Sequence, residues 1–178
     1  MTPELFDRVS RCEHGLSLTQ PWAWMIVSLP GLWKNVENRT AGFSHKSFRG
    51  DFFVHASSLC TEADYDSCLA WCGAKFGTEF RSRVPARESI SRGGIVGIAR
   101  VVDIIEPGTL PVGDDDTPLV LPWKMVDRYG FLLEDRAELP FVPCKGKLGF
   151  WRVSTLLRED IRRKCDWQRT MVEAADAR

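Results

Sequence analysis

The 178-residue chain has little that would draw it to a partner or a compartment through bulk properties. Lysine plus arginine and aspartate plus glutamate both number 24, so the formal charge is zero and no global field drives the protein onto nucleic acid or a membrane. A polyanion would have to be held by a local patch. There is no run of about 18 apolar residues and no basic-then-apolar leader, so we read the protein as soluble and cytoplasmic, without a membrane partner. The six cysteines, Cys12, Cys60, Cys68, Cys72, Cys144 and Cys165, form no dense framework, and reduced thiols are expected rather than disulfides. Cys68 and Cys72 lie one helical turn apart with Cys60 and His55 upstream, but zinc wants recurring pairs and no second pair exists, so neither a metal nor another cofactor is expected. No glycine-rich turn leads into a helix, which removes a nucleotide loop of the usual kind. No internal repeat or interdomain linker divides the chain.

What the sequence does have is punctuation and rings: ten prolines, fourteen glycines and seven tryptophans, the composition of a loop-rich, aromatic-rich fold. Its length corresponds to about one domain, enough to bury most of the surface its unfolded form exposes. Leu5, Phe6 and Val9 recur at helical spacing, giving a short N-terminal helix. Gly15 to Leu18 reads as a strand. Thr19-Gln20-Pro21 then starts a short helix, with proline at the first helical position and Thr19 or Gln20 able to cap. Its first-turn amides are a potential anion or carbonyl site. Trp22, Met25, Ile26 and Leu29 form its buried stripe, which places Trp22 in the core and leaves Trp24 or Trp33 to wall a cleft.

Further on, Phe52 to Ala56 reads as a strand with His55 at its inner end, either a hydrogen-bonded core histidine or an acid. A helix starts at Thr61 and runs to Gly77. Lys75 to Arg92, cation-rich and holding Pro85, reads as a structureless loop or lid, solvated or touching phosphates. Gly93 to Ile105 is the clearest strand, buried on both faces, with Gly97 allowing a bend suited to barrel curvature. Asp114-Asp115-Asp116 sits in a solvated acidic loop. Tyr129 to Leu139 and Gly146 to Val153 read as two more strands, separated by Pro140, Pro143 and Gly146. Leu156 to Arg178 is a charged helical tail. Five or six strands, short helices and no βαβ repeat point to an α+β fold, a small closed or nearly closed β-barrel with peripheral helices.

The chemistry concentrates in Trp33-Lys34-Asn35-Val36-Glu37-Asn38-Arg39-Thr40. If Val36 to Thr40 is a strand, Glu37 and Arg39 share one face about 6.5 to 7 Å apart, and Val36 takes the other. Lys34 joins them only from the preceding turn, which Pro30-Gly31 makes available. On residue types alone the cluster is either a solvated ion pair contributing about 0 to 1 kcal/mol or a site.

Taken in order, a strand into Gln20-Pro21-Trp22-Ala23, Lys34-x-x-Glu37-x-Arg39, Arg49-Gly50 with a strand ending His55-Ala56-Ser57, Gly94-Ile95-Val96-Gly97, and a terminal Lys147-Leu148-Gly149-Phe150-Trp151 resemble the ASCH family, relatives of the PUA domains. The resemblance covers about residues 15 to 153, with residues 1–14 an N-terminal helical extension and 154–178 a helical tail. One departure is that Gly31 lies three residues before Lys34, where the family pattern has two. The resemblance implies a PUA-like barrel with a cleft beside the first helix, lined by the motif, and a role in RNA metabolism. Lys34, Glu37 and Arg39 become the candidate catalytic residues, with Thr19, Gln20, Pro21, Trp22, Trp24, Trp33 and His55 as ligand-binding candidates. The implied partner is RNA, another single-stranded nucleic acid or a nucleotide-like small molecule.

Two functions follow from the same residues. As a binding module, Lys34 and Arg39 meet phosphate, a tryptophan stacks a base and Glu37 reads its edge. As a metal-independent ribonuclease, Glu37 is the general base, Lys34 and Arg39 stabilise developing charge, and His55 is a spare acid. The family also includes amidohydrolases of modified nucleosides, whose threonine nucleophile position is Glu37 here, and coactivator-type domains that engage other proteins.

Overall fold

The computed structural model describes residues 1–29, 31–40, 47–109 and 121–176, with side chains as far as residue 171. Helix α1 (Pro3–Arg11) begins where Thr2 accepts a hydrogen bond from the Leu5 N–H at 3.3 Å and Pro3 takes a first-turn position that needs no N–H. After it come β1 (His14–Leu18), α2 (Trp22–Val27), β2 (Val36–Arg39) and β3 (Gly50–Ala56). Helix α3 (Glu62–Phe76) opens on a reciprocal cap between Thr61 and Asp64. A 3-10 turn (Thr78–Arg83), β4 (Gly94–Ile105), β5 (Tyr129–Pro143), β6 (Phe150–Arg152) and α4 (Thr155–Asp176) complete the order.

The six strands form one mixed sheet in the order β2-β5-β4-β3-β1-β6, with β1 and β3 parallel and every other pair antiparallel. Register shifts interrupt the β4–β5 ladder at three places and the β3–β4 ladder between Val54 and His55, and bulges of this kind bend strands and tighten their twist. The sheet therefore curls into a half-barrel. Gly97 flanks one of these shifts, and a Cβ there would collide with the Ala137 carbonyl and the Val27 side chain, so the residue lets α2 and β5 close on β4. Helix α2 packs against β3, β4 and β5, and its Ala23, Ile26 and Val27 join Leu16, Phe52, Val54, Phe131 and Phe150 in the central core. A second core lies under α2 and α3, around Met25, Tyr65, Leu69, Phe80 and Trp123. A third seats α1 and α4 on the sheet through Val9, Phe53, Ile98, Trp151, Ile161 and Cys165.

Three sequence expectations change here. The span Lys75 to Arg92 is no structureless lid: it contains the 3-10 turn, buries Phe80, Val84 and Ile90, and is tied down by the Tyr65 hydroxyl donating to the Pro85 carbonyl at 2.6 Å. Pro140 does not end a strand, because β5 runs through it to Pro143; proline is tolerated where its missing N–H faces no ladder partner. Only Phe150–Arg152 of the expected strand from Gly146 pairs with a neighbour, and residues 144–149 form a strap between β5 and β6. Asp114 to Asp116 lies outside the described residues. No described helix is long and apolar enough to cross a membrane.

Candidate functional site

The site grows from the turn before β2. The Lys34 N–H donates to the Met25 carbonyl at 3.0 Å, which hangs the turn on α2 and points the lysine inward. Its side chain is 2% exposed, and Nζ donates to the Val36 carbonyl at 2.8 Å and to Glu37 Oε2. Burying an ammonium is costly unless it is paired and hydrogen-bonded, and here both conditions are met. Nζ also stands 5.5 Å from the centroid of the Trp22 ring. On β2, Glu37 and Arg39 share one face as the pleat requires, and Arg39 Nε sits 3.2 Å from Glu37 Oε1. Glu37, 7% exposed, thus has each carboxylate oxygen held by a different cation. Arg39 extends past it and donates from Nη2 to the Ser17 carbonyl of β1 at 3.2 Å, spanning the open side of the half-barrel.

This ion-paired floor faces a cleft of about 1190 Å³ lined by Thr19, Trp22, Glu37, Asn38 and Arg39 on one side and by His55, Ser57 and the strap residues Cys144 to Leu148 on the other. A smaller adjoining cavity of about 240 Å³ holds the Lys34 end, with Met125 and Arg128. Lys34 therefore lies behind Glu37 and does not line the main cleft. Trp22 is only half-buried and forms a cleft wall, in place of the full core position its helical stripe suggested. The stripe faces a core, but this first residue sits at its rim.

The remaining candidates separate. Thr19 is at the cleft mouth. Gln20 is 2% exposed and spends its side chain on structure, donating from Nε2 to the Ser91 carbonyl at 2.8 Å and accepting the Trp24 N–H at 3.0 Å. Pro21 is buried, and its carbonyl takes the Met25 N–H. The first-turn amides of α2 are consequently no anion site: Ala23 and Trp24 already donate to Thr19 and Gln20, and the helix is only six residues long. Trp24 lines a separate pocket of about 200 Å³ with Pro85 and Phe141. Trp33 lies elsewhere, 36% exposed, with the Arg136 guanidinium 5.4 Å above its ring.

His55 is 3% exposed and lies beside the register shift in β3. Its Nε2 faces the Cys144 carbonyl at 3.2 Å. Because a carbonyl only accepts, Nε2 carries the proton of the neutral ring and Nδ1 is left as a lone-pair acceptor. Burial pushes the ring's pKa below its ordinary value against the opposing pull of the Cys144 carbonyl, which favours that neutral form. Nδ1 has no hydrogen-bond partner, and neither has the Ser17 hydroxyl beside it on the parallel neighbour strand.

Sequence reasoning missed three contributors. Asn38 alternates to the face opposite Arg39's ladder role and pins residues 121–128, donating to the Trp123 carbonyl at 2.8 Å and accepting the Met125 N–H at 2.9 Å. Ser17 is small and polar within an apolar strand, a weak signal. The strap carried a stronger one, since Pro143-Cys144-Lys145-Gly146-Lys147 combines breakers with two cations. No protein-family model matches the chain, and neither does any curated protein.

Proposed function

We propose that the cleft binds RNA, taking a single-stranded or looped segment whose base enters against Trp22 and meets Glu37 and Arg39 on the floor, as an ASCH-type, PUA-like domain would. The observation that carries this reading is a buried acid–arginine pair opening into a roomy cleft with an aromatic wall. Glu37 offers acceptors and Arg39 donors in fixed positions, the complement of a nucleobase edge. The cleft exceeds the roughly 300–1,000 Å³ of ordinary small-molecule pockets, which suits a polymer segment. Glu37 has a cation on each of its oxygens and is held in one position by them, which supports a reading role over proton abstraction.

Fluorescence anisotropy with labelled single-stranded RNA, a hairpin and a blunt duplex tests this. Wild type is expected to bind the strand and the loop in a salt-dependent way and the duplex weakly. Trp22→Ala should weaken binding about 5- to 100-fold, the cost of one lost base stack. Arg39→Ala should weaken it further at low salt. Parallel gels in chelator report cleavage, and cleavage abolished by Glu37→Gln would select the hydrolase instead. Failure of wild type to bind any RNA would leave the protein-interaction reading and end this one.

A further inference from the structure

The strap end of the cleft has an electrostatic and hydrogen-bonding character of its own. In a chain of zero formal charge, the cleft lining holds three cations, Arg39, Lys145 and Lys147, against one carboxylate, Glu37. Arg39 already answers Glu37, and the two lysines, both exposed, make no ion pair among the described residues. They flank Gly146, whose backbone passes so close over the sheet that a Cβ there would collide with the His55 ring and the Ser17 hydroxyl. Beneath it lie His55 Nδ1 and Ser17 Oγ, both buried and both without a hydrogen-bond partner. Orphaned polar atoms of this kind are uncommon in folded proteins and are expensive to leave unmade. The covering strap is lightly held. Cys144 is anchored through its N–H to the Gly93 carbonyl at 3.0 Å and through its carbonyl to His55, while residues 145–148 add no hydrogen bond among the described residues. Leu148 is 98% exposed.

We propose that this end is a sugar–phosphate subsite that distinguishes RNA from DNA, a reading that rests on the RNA-binding function above. Lys145 and Lys147 hold a backbone phosphate at the mouth. As the strap lifts off, His55 Nδ1, an acceptor with no proton, receives the 2′-hydroxyl of the adjoining ribose, and the Ser17 hydroxyl donates to an oxygen of the same unit. A deoxyribose has nothing to offer His55 and leaves its lone pair buried and unmet. His55 in this account positions the strap through Nε2 and reads the sugar through Nδ1.

The test uses the full chain and one decanucleotide sequence made as RNA, as DNA and as 2′-fluoro RNA, which keeps the ribose pucker but removes the hydroxyl donor. Wild type should bind RNA about 3- to 10-fold more tightly than either analogue, the contribution of one hydrogen bond. His55→Phe keeps a ring at this position but has no acceptor, and should bring the three affinities together. Lys145→Ala/Lys147→Ala should lower the salt slope by about 0.7 for all three ligands, with the RNA preference retained. Equal wild-type affinity for RNA and 2′-fluoro RNA overturns the sugar assignment without variants, so a misfolded His55→Phe does not obscure the answer. An unchanged salt slope in the lysine variant overturns the phosphate assignment. In both of these cases nucleic-acid binding itself stands, whereas wild type that binds none of the ligands removes the RNA reading and this subsite together.

Discussion

Single side chains decide whether the site is firm. Lys34 is the most consequential, because it neutralises Glu37 from behind while contributing nothing exposed to the cleft. Its removal leaves the buried Glu37 held by Arg39 at one oxygen and stripped of its cation at the other, so Lys34→Met should destabilise the fold by about 3 kcal/mol, read as a fall in the chemical-denaturation midpoint at constant slope. A loss well under 1 kcal/mol would mean that the pair is effectively solvated. Asp51 carries a different prediction. It accepts from Arg8 at 2.7 Å and from Arg100 at 3.2 Å, tying α1 to β3 and β4. Burial by itself raises this carboxyl, but the two guanidiniums outweigh it and hold the pKa below the ordinary 3.8. A folded-state value depressed in this way gives stability that is whole above 3.8 and drains as pH falls through the folded-state value. Asp51→Asn should therefore be less stable than wild type by about 2 kcal/mol at pH 7, with the gap closing below about pH 4 in thermal melts. At this scale the sequence was partly legible. Two-residue alternation was enough to put Glu37 and Arg39 on one face, but the partners of Gln20, Asn38 and His55 lie 71, 85 and 89 residues away, beyond any local pattern.

Among the elements, those with a strong period or a clear cap were readable: β4 from its apolar run, α3 from Thr61 and its acidic first turn, α2 from its proline. The failures have a common cause. A segment whose pattern is weak takes its structure from what it packs on, as 78–92 does on α3 through Phe80 and Tyr65. Tyr65→Phe removes only the hydroxyl that reaches Pro85, and should cost about 1 kcal/mol and raise proteolytic nicking between residues 78 and 92. The strap was misread as strand because Leu148, Phe150 and Trp151 look like an apolar run, although Leu148 is almost fully exposed. Gly146→Ala tests the close approach there. The strap can move, so the stability loss should stay at about 1 kcal/mol, while RNA affinity should rise, because a strap already held off His55 and Ser17 no longer has to be lifted. Unaltered affinity would separate the strap from binding.

For the molecule as a whole, neutrality concealed a local imbalance. A formal charge of zero describes the total alone, and composition has no way to report that cations gather on one rim while others are spent in pairs such as Arg8–Asp51, Arg152–Glu13 and Arg163–Asp160. The half-barrel itself followed from strand count and from the lack of a βαβ repeat, whereas its open side did not. That opening is spanned by side chains, with Arg39 of β2 reaching the Ser17 carbonyl of β1 and Phe131 of β5 stacked 5.7 Å from Phe150 of β6. Arg39 is at once a fastener of this seam and part of the surface offered to a guest. Occupancy and closure then become a single equilibrium, in which a guest that steadies the arginine slows backbone amide exchange along β1 and β2, and a protein without its guest breathes first at that seam.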